Sequence, residues 1–209
     1  VPVHRLPFQG APLGARRAVV YALDLRATDP PRPPAPHGDA QDPPLRVLPY
    51  QGAVALRGGL VETAQADLAA ALRGLTLVSP IGAPAGPLLP LLPRADLLSY
   101  LGHGSYAPLH GQARLLGDGQ PVLVSDLLTA PSLPRYVILL ACEGGAARES
   151  SGGLEGLSLA AAFLLRGSAF VIAAPDPLPA DAAALLQPAL TGALGDGALR
   201  ADPVAALRR

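Results

Sequence analysis

Two residues in the chain have the chemistry for nucleophilic catalysis, and both sit in similar surroundings. Cys142 is the only cysteine among 209 residues. It follows an apolar run, Tyr136 to Ala141, and opens into Glu143, Gly144 and Gly145. His103 follows a second run, Asp96 to Leu101, and lies between Gly102 and Gly104. A thiol attacks as its thiolate, so it needs a base or a positive field beside it, and an imidazole at the end of a neighbouring strand is suited to that task. The flanking glycines let a substrate backbone approach, and the N–H groups of Gly104 and Cys142 are candidates to stabilise a developing oxyanion. Each residue taken alone also fits a plainer description. A solitary cysteine at a strand end is a small buried hydrophobe, and a solitary loop histidine is a hydrogen-bonded one. It is the pair, each ending a strand and entering glycine, that points to catalysis.

The elements that must carry this pair are legible as an alternation. Ala18 to Leu25, Leu45 to Leu48, Leu75 to Val78, Asp96 to Leu101, Tyr136 to Ala141 and Phe170 to Ala174 are short runs rich in Val, Ile and Leu that predict strands. Leu60 to Leu72 places apolar residues at helical spacing and stops at Arg73-Gly74. Leu154 to Arg166, ended by Gly167, predicts a second helix; Asp181 to Leu190, interrupted at Pro188, a third; Pro203 to Leu207 a fourth. Pro87 to Pro93 reads as a short helix or turn. Ala113 to Leu116 and Val122 to Val124 form a hairpin across Gly117-Asp118-Gly119, and Ser125 caps a short helix through Leu128. Ala27 to Pro44 holds too many prolines for helix or ladder and is an exposed loop. The crossovers suit right-handed parallel connections, so the expected fold is α/β, a mostly parallel sheet covered by helices. Chemistry in such sheets gathers at the carboxyl ends of the strands, where His103 and Cys142 both lie.

Composition narrows the function further. Sixteen basic residues, all arginine, balance sixteen acids, so no overall field draws the chain to nucleic acid or to an anionic membrane. The longest apolar stretch, Leu154 to Leu165, falls short of the roughly 18 to 20 residues of a spanning helix. One cysteine allows no internal disulfide, which fits a cytoplasmic protein. With no Asn in the chain, a Cys-His-Asn triad is excluded. His103, His110 and Cys142 make a poor zinc set without a second cysteine cluster, and no metal or other cofactor is expected. Glu143-Gly144-Gly145 and the following residues to Gly153 resemble a phosphate nest, but no GxGxxG or GK[ST] pattern accompanies them. They read better as a substrate-side or autoprocessing loop, in which Arg148 would be a natural cleavage site if the residue before the scissile bond must be basic. Glu143 would raise the thiol pKa if it pointed inward, so it is expected to face a loop hydrogen bond. The chain starts at Val1 without Met, and we read it as one domain, residues 1–209, of a longer or processed product.

The segments LLSYLGHGSY around His103, GDGQPVLVSDLL, VILLACEGG around Cys142, GLEGLSLAAAFLLRGSAFVIAA and PLPADAA resemble, in that order and spacing, the CHAT domain of the caspase-like clan CD cysteine peptidases. The resemblance extends from about Arg94 to Leu186, with ACEGG its most specific part. It implies a caspase-like three-layer α/β fold and a cysteine endopeptidase. On that implication His103 and Cys142 are the dyad, and the amides of Gly104 and Cys142 are the oxyanion donors. The substrate is a protein or peptide, with an activating partner or a fused repeat module alongside. Such domains serve bacterial defence and regulated proteolysis. The alternative is a catalytically silent caspase-like scaffold that binds partner proteins. A nucleotide-binding module lacks its glycine fingerprint.

The chain departs from the family where a tryptophan is usual. Ala174-Pro175-Asp176-Pro177-Leu178 stands there instead, with Asp176 in place of the tryptophan. Loops after this strand and after the first strand help form the S1 pocket in caspase-like folds. Asp176 is therefore the first candidate S1 acid, with Asp24 and Asp29 second, and an acid there favours a basic P1 side chain. The plainer reading of each is a solvated loop acid or a helix cap.

Overall fold

A computed structural model of the chain describes residues 7–8, 11–12, 44–52, 60–82, 86–107, 112–117, 120–141, 157–174 and 178–195. The chain divides into two compact units, residues 43–195 and residues 1–42 with 196–209. In the second of these, β1 (Pro7–Phe8) and β2 (Ala11–Pro12) pair antiparallel. The expected strand at Ala18 to Leu25, the loop from Ala27 to residue 43 and the helix at Pro203 to Leu207 lie outside the described residues.

The larger unit is built on five parallel strands: β3 (Arg46–Gln51), β4 (Thr76–Leu77), β5 (Leu97–Gly102), β9 (Tyr136–Ala141) and β10 (Phe170–Ala173), in the order β10-β9-β5-β3-β4. Every residue of β5 and of β9 is buried, because strands covered on both faces need apolar side chains on both. Helices lie on each side. Alternate residues of β5 face opposite ways: Ser99 reaches α4 (Ala180–Gly195), while Leu98 and Tyr100 join a core with residues of α2 (Val124–Thr129) and α3 (Leu159–Leu165). The architecture is the expected one, α/β with a mostly parallel, helix-flanked sheet of caspase-like type.

Local chemistry explains where each helix starts and stops. In α1 (Leu60–Ala71), Ala64 and Leu68 are buried with Leu72 just beyond, one stripe at helical spacing, and Gly74 follows with φ of 86°. Helix α3 begins behind Ser158, whose hydroxyl accepts the Ala161 N–H at 3.1 Å, so Leu157 and Ser158 are not helical and the helix does not run unbroken from Leu154. For α2 the carboxylate of Asp126 accepts the Leu123 N–H at 2.8 Å; Asp126, and not Ser125, closes this end. Helix α4 runs through Pro188 without a break. The proline costs a hydrogen bond to the turn before it, but buried Ala183, Ala184, Gln187, Thr191 and Leu194 hold the helix on both sides. The prolines near Leu89 form a short 3₁₀ helix, Leu89–Arg94.

Within the larger unit one strand was not foreseen, and in the smaller unit the sequence had not resolved β1 and β2. Strand β6 (Gly104–Ala107) starts directly after His103 and pairs antiparallel with β7 (Gln112–Leu115), which pairs with β8 (Val122–Leu123). The expected hairpin is thus part of a three-stranded sheet that grows from the carboxyl end of β5.

Candidate active site

The carboxyl ends of β5 and β9 lie side by side. Their register pairs Leu101 with Leu140 and Gly102 with Ala141. His103 follows Gly102 directly, and its side chain is exposed. Cys142 follows Ala141 in sequence and lies outside the described residues, as do Glu143, Arg148, His110 and the three candidate S1 acids, Asp24, Asp29 and Asp176.

The backbone of His103 is held from beneath by the Tyr100 hydroxyl. Tyr100 is fully buried and its ring stacks on that of Tyr50, with centroids 5.9 Å apart and planes 10° from parallel. The stack follows from register, since the two tyrosines are partners on adjacent parallel strands. Tyr100 turns its hydroxyl toward two backbone carbonyls, those of His103 at 2.8 Å and Leu116 at 2.7 Å. Burial above all, with Tyr50 beside it, pushes the Tyr100 phenol up, so it remains a donor at any physiological pH. Tyr50 in turn donates to the Gly86 carbonyl at 2.8 Å.

Gly102 makes this arrangement sterically feasible. A Cβ on Gly102 would lie 2.6 Å from the Tyr100 hydroxyl and 2.8 Å from its ring. At Gly52, whose N–H continues the ladder to Leu101, a Cβ would lie 2.8 Å from the Leu116 carbonyl. Close approach of strand ends and turn therefore needs glycine at both positions.

The pairing of β6 decides where the Gly104 amide points. The Leu116 N–H donates to the His103 carbonyl at 2.9 Å. Gly104 and Leu115 are partners in the same ladder, so that bond makes them a pair that faces without exchanging hydrogen bonds. The Gly104 N–H is thereby directed away from β7. Next in the ladder, Arg114 reaches across to the Ser105 hydroxyl at 2.9 Å.

Behind the sheet, on the face toward α4, runs a chain of side-chain amides and hydroxyls. Gln187, 1 % exposed, donates to the Ser99 carbonyl and hydroxyl, each at 3.2 Å, and the Ser99 and Thr191 hydroxyls meet at 2.8 Å. The chain extends through Gln51 at the end of β3 to Gln65 on α1 by longer contacts of 3.4 and 3.5 Å. Neither Tyr100 nor Gln51 was singled out from the sequence. The one available signal was position: Tyr100 lies on the strand that leads to His103, and Gln51 at the end of its neighbour β3.

An exposed imidazole, a backbone amide turned away from its ladder and an adjoining strand end are suited to acyl transfer. No helix among the described residues is long and apolar enough to cross a membrane. The family model of the CHAT domain matches residues 1–209, the whole chain. No curated protein matches it.

Proposed function

The chain belongs to the CHAT domain family, which is caspase-like and peptidase-related, and from that premise we propose that it is a cysteine endopeptidase acting through His103 and Cys142. The observation that carries the reading is the register of Gly102 with Ala141 at the carboxyl ends of two central strands, the residues that immediately precede His103 and Cys142. Parallel neighbours lie about 4.8 Å apart, a spacing that suits a dyad built on consecutive strand ends.

In this mechanism His103 takes the thiol proton as the sulfur adds to the scissile carbonyl. The amides of Gly104 and Cys142 hold the oxyanion, and the outward direction of the Gly104 N–H supports its share. Protonated His103 then gives its proton to the leaving amine, and a thioester remains on Cys142. Water, deprotonated by His103, releases the acid product. The substrate class is protein or peptide, with Asp176 first and Asp24 or Asp29 second as acids that favour a basic P1 residue. The setting is regulated proteolysis or bacterial defence in the cytoplasm, with an activating partner or fused repeat module.

The test is incubation with a peptidyl chloromethyl ketone bearing P1 Arg, against a P1 Asp control, and mass spectrometry of Cys142. Alkylation by the Arg reagent in preference to the Asp reagent is expected. A wild-type chain left unmodified by both fails the peptidase reading and favours the silent scaffold. Equal cleavage of Arg, Leu and Asp substrates, unchanged in Asp176→Ala, sinks the S1 assignment alone.

A further inference from the structure

We propose that Tyr100 is a positioning residue for this site, aiming the Gly104 amide and fixing the backbone of His103 through its bond to the His103 carbonyl. The inference rests on the peptidase reading above. The peptide unit joining His103 to Gly104 is planar, with its C=O and N–H pointing opposite ways when trans. Two donors hold the carbonyl, the Tyr100 hydroxyl at 2.8 Å and the Leu116 N–H at 2.9 Å. Because the plane is rigid, holding the oxygen on the β7 side directs the Gly104 N–H to the other side, where an oxyanion would form.

Tyr100 does more than duplicate the Leu116 bond. Its ring is fully buried and stacked on Tyr50, so its hydroxyl projects from a fixed point in the core. The same hydroxyl meets the Leu116 carbonyl at 2.7 Å, so one hydrogen is shared between His103, where β5 passes into β6, and Leu116, just beyond β7. Gly102, by having no Cβ, leaves the space this hydroxyl occupies. Displacement of an oxyanion donor by a fraction of an ångström weakens stabilisation of the transition state more than substrate binding.

Tyr100→Phe removes the hydroxyl and keeps the ring. Two reagents separate an effect on the oxyanion from an effect on the thiol. Iodoacetamide is attacked at a saturated carbon: the C–S bond forms as iodide leaves, and no oxyanion appears. A peptide aldehyde is attacked at its carbonyl: the sulfur pair forms the C–S bond, the carbonyl π pair moves to oxygen, and the thiol proton passes through His103 to that oxygen. The experiment compares the wild-type chain, Tyr100→Phe and, as a control for loss of a core phenol, Tyr50→Phe. It uses acetyl-peptide aldehydes with P1 Arg and P1 Leu and the best substrate of a fluorogenic P1 library.

In Tyr100→Phe, kcat and aldehyde affinity are expected to fall about tenfold, with KM and the iodoacetamide rate within about twofold of wild type. Tyr50→Phe keeps all four. Unchanged kcat and aldehyde affinity in Tyr100→Phe, or an equal loss in Tyr50→Phe, overturns the proposal and leaves the peptidase reading standing. A wild-type chain that neither cleaves nor is labelled removes both. Should Tyr100→Phe fail to fold, the Tyr100 hydroxyl proton in the wild-type chain serves instead: its NMR resonance is expected to shift when the aldehyde binds, and one that stays in place overturns the proposal.

Discussion

The two ends of the five-stranded sheet are tied in different ways. At the amino end, where β3 and β5 begin, Arg46 and Asp96 form a two-pronged ion pair: Arg46 Nε and the guanidinium Nη2 reach the two carboxylate oxygens at 2.9 and 2.8 Å, and the Arg46 N–H adds a third bond at 3.0 Å. At the carboxyl end of the same two strands the ties among the described residues are neutral, tyrosine hydroxyls on backbone carbonyls. An ion pair at a wet edge is screened and contributes little. Beside the proposed dyad a fixed charge would bias both titrations, whereas a phenol holds the backbone without doing so. The difference matches a division in which one end of a parallel sheet serves cohesion and the other chemistry.

The sharpest way to break that division is to remove the dyad. Cys142→Ala and His103→Ala are each expected to lower peptide cleavage at least about a hundredfold, with thermal unfolding near that of wild type. Full activity in Cys142→Ala would end the mechanism. Gly102→Ala comes next, since it drives a Cβ toward the Tyr100 hydroxyl. A loss of about 1–3 kcal/mol of stability by denaturant titration is expected, together with a fall in kcat.

Gln187→Leu probes the middle of the sheet, where it strips the Ser99 carbonyl and hydroxyl of a donor. It should cost about 1–3 kcal/mol and leave activity per folded molecule unchanged. The smallest effect belongs to the amino end. The Arg46 hydrogen bonds hold the Asp96 carboxyl below the usual carboxylate range. Its stabilisation is therefore in place above a pH of about 3.9 and is lost as pH falls through the lower folded-state value. Asp96→Asn should flatten that acid limb of the stability curve, added salt should shrink the effect, and kcat should not move.

Sequence patterning identified the described strands of the parallel sheet within a few residues, because each is an apolar run bounded by Pro, Gly or charge. Tyr136 to Ala141 is the clearest case and coincides with β9. It failed where a local preference met a tertiary one. Pro188 predicted an interruption that packing on α1 and on the sheet overrides. The run from Leu154 predicted one unbroken helix, whereas Leu157 and Ser158 are not helical and the Ser158 cap opens α3 at Leu159. Strand β6 escaped notice because Gly104-Ser105-Tyr106-Ala107 has no apolar alternation; its pairing with β7 makes it a strand. At the site, residue type and family pattern singled out His103 and Cys142. Tyr100 was hidden because its function depends on a backbone carbonyl three residues on, which no spacing of side chains reveals.

The burial of β5 and β9 along their whole length has a consequence for how the molecule opens. The six-residue register between them lies next to the middle of the sheet, whereas β4 contributes two exposed residues at one border. Amide hydrogen exchange should therefore be fastest at Thr76 and Leu77 and slowest from Leu98 to Leu101 and from Val137 to Leu140. The strands that lead to the proposed dyad would then be the last to lose protection, and partial unfolding at the border would leave the frame of the site intact.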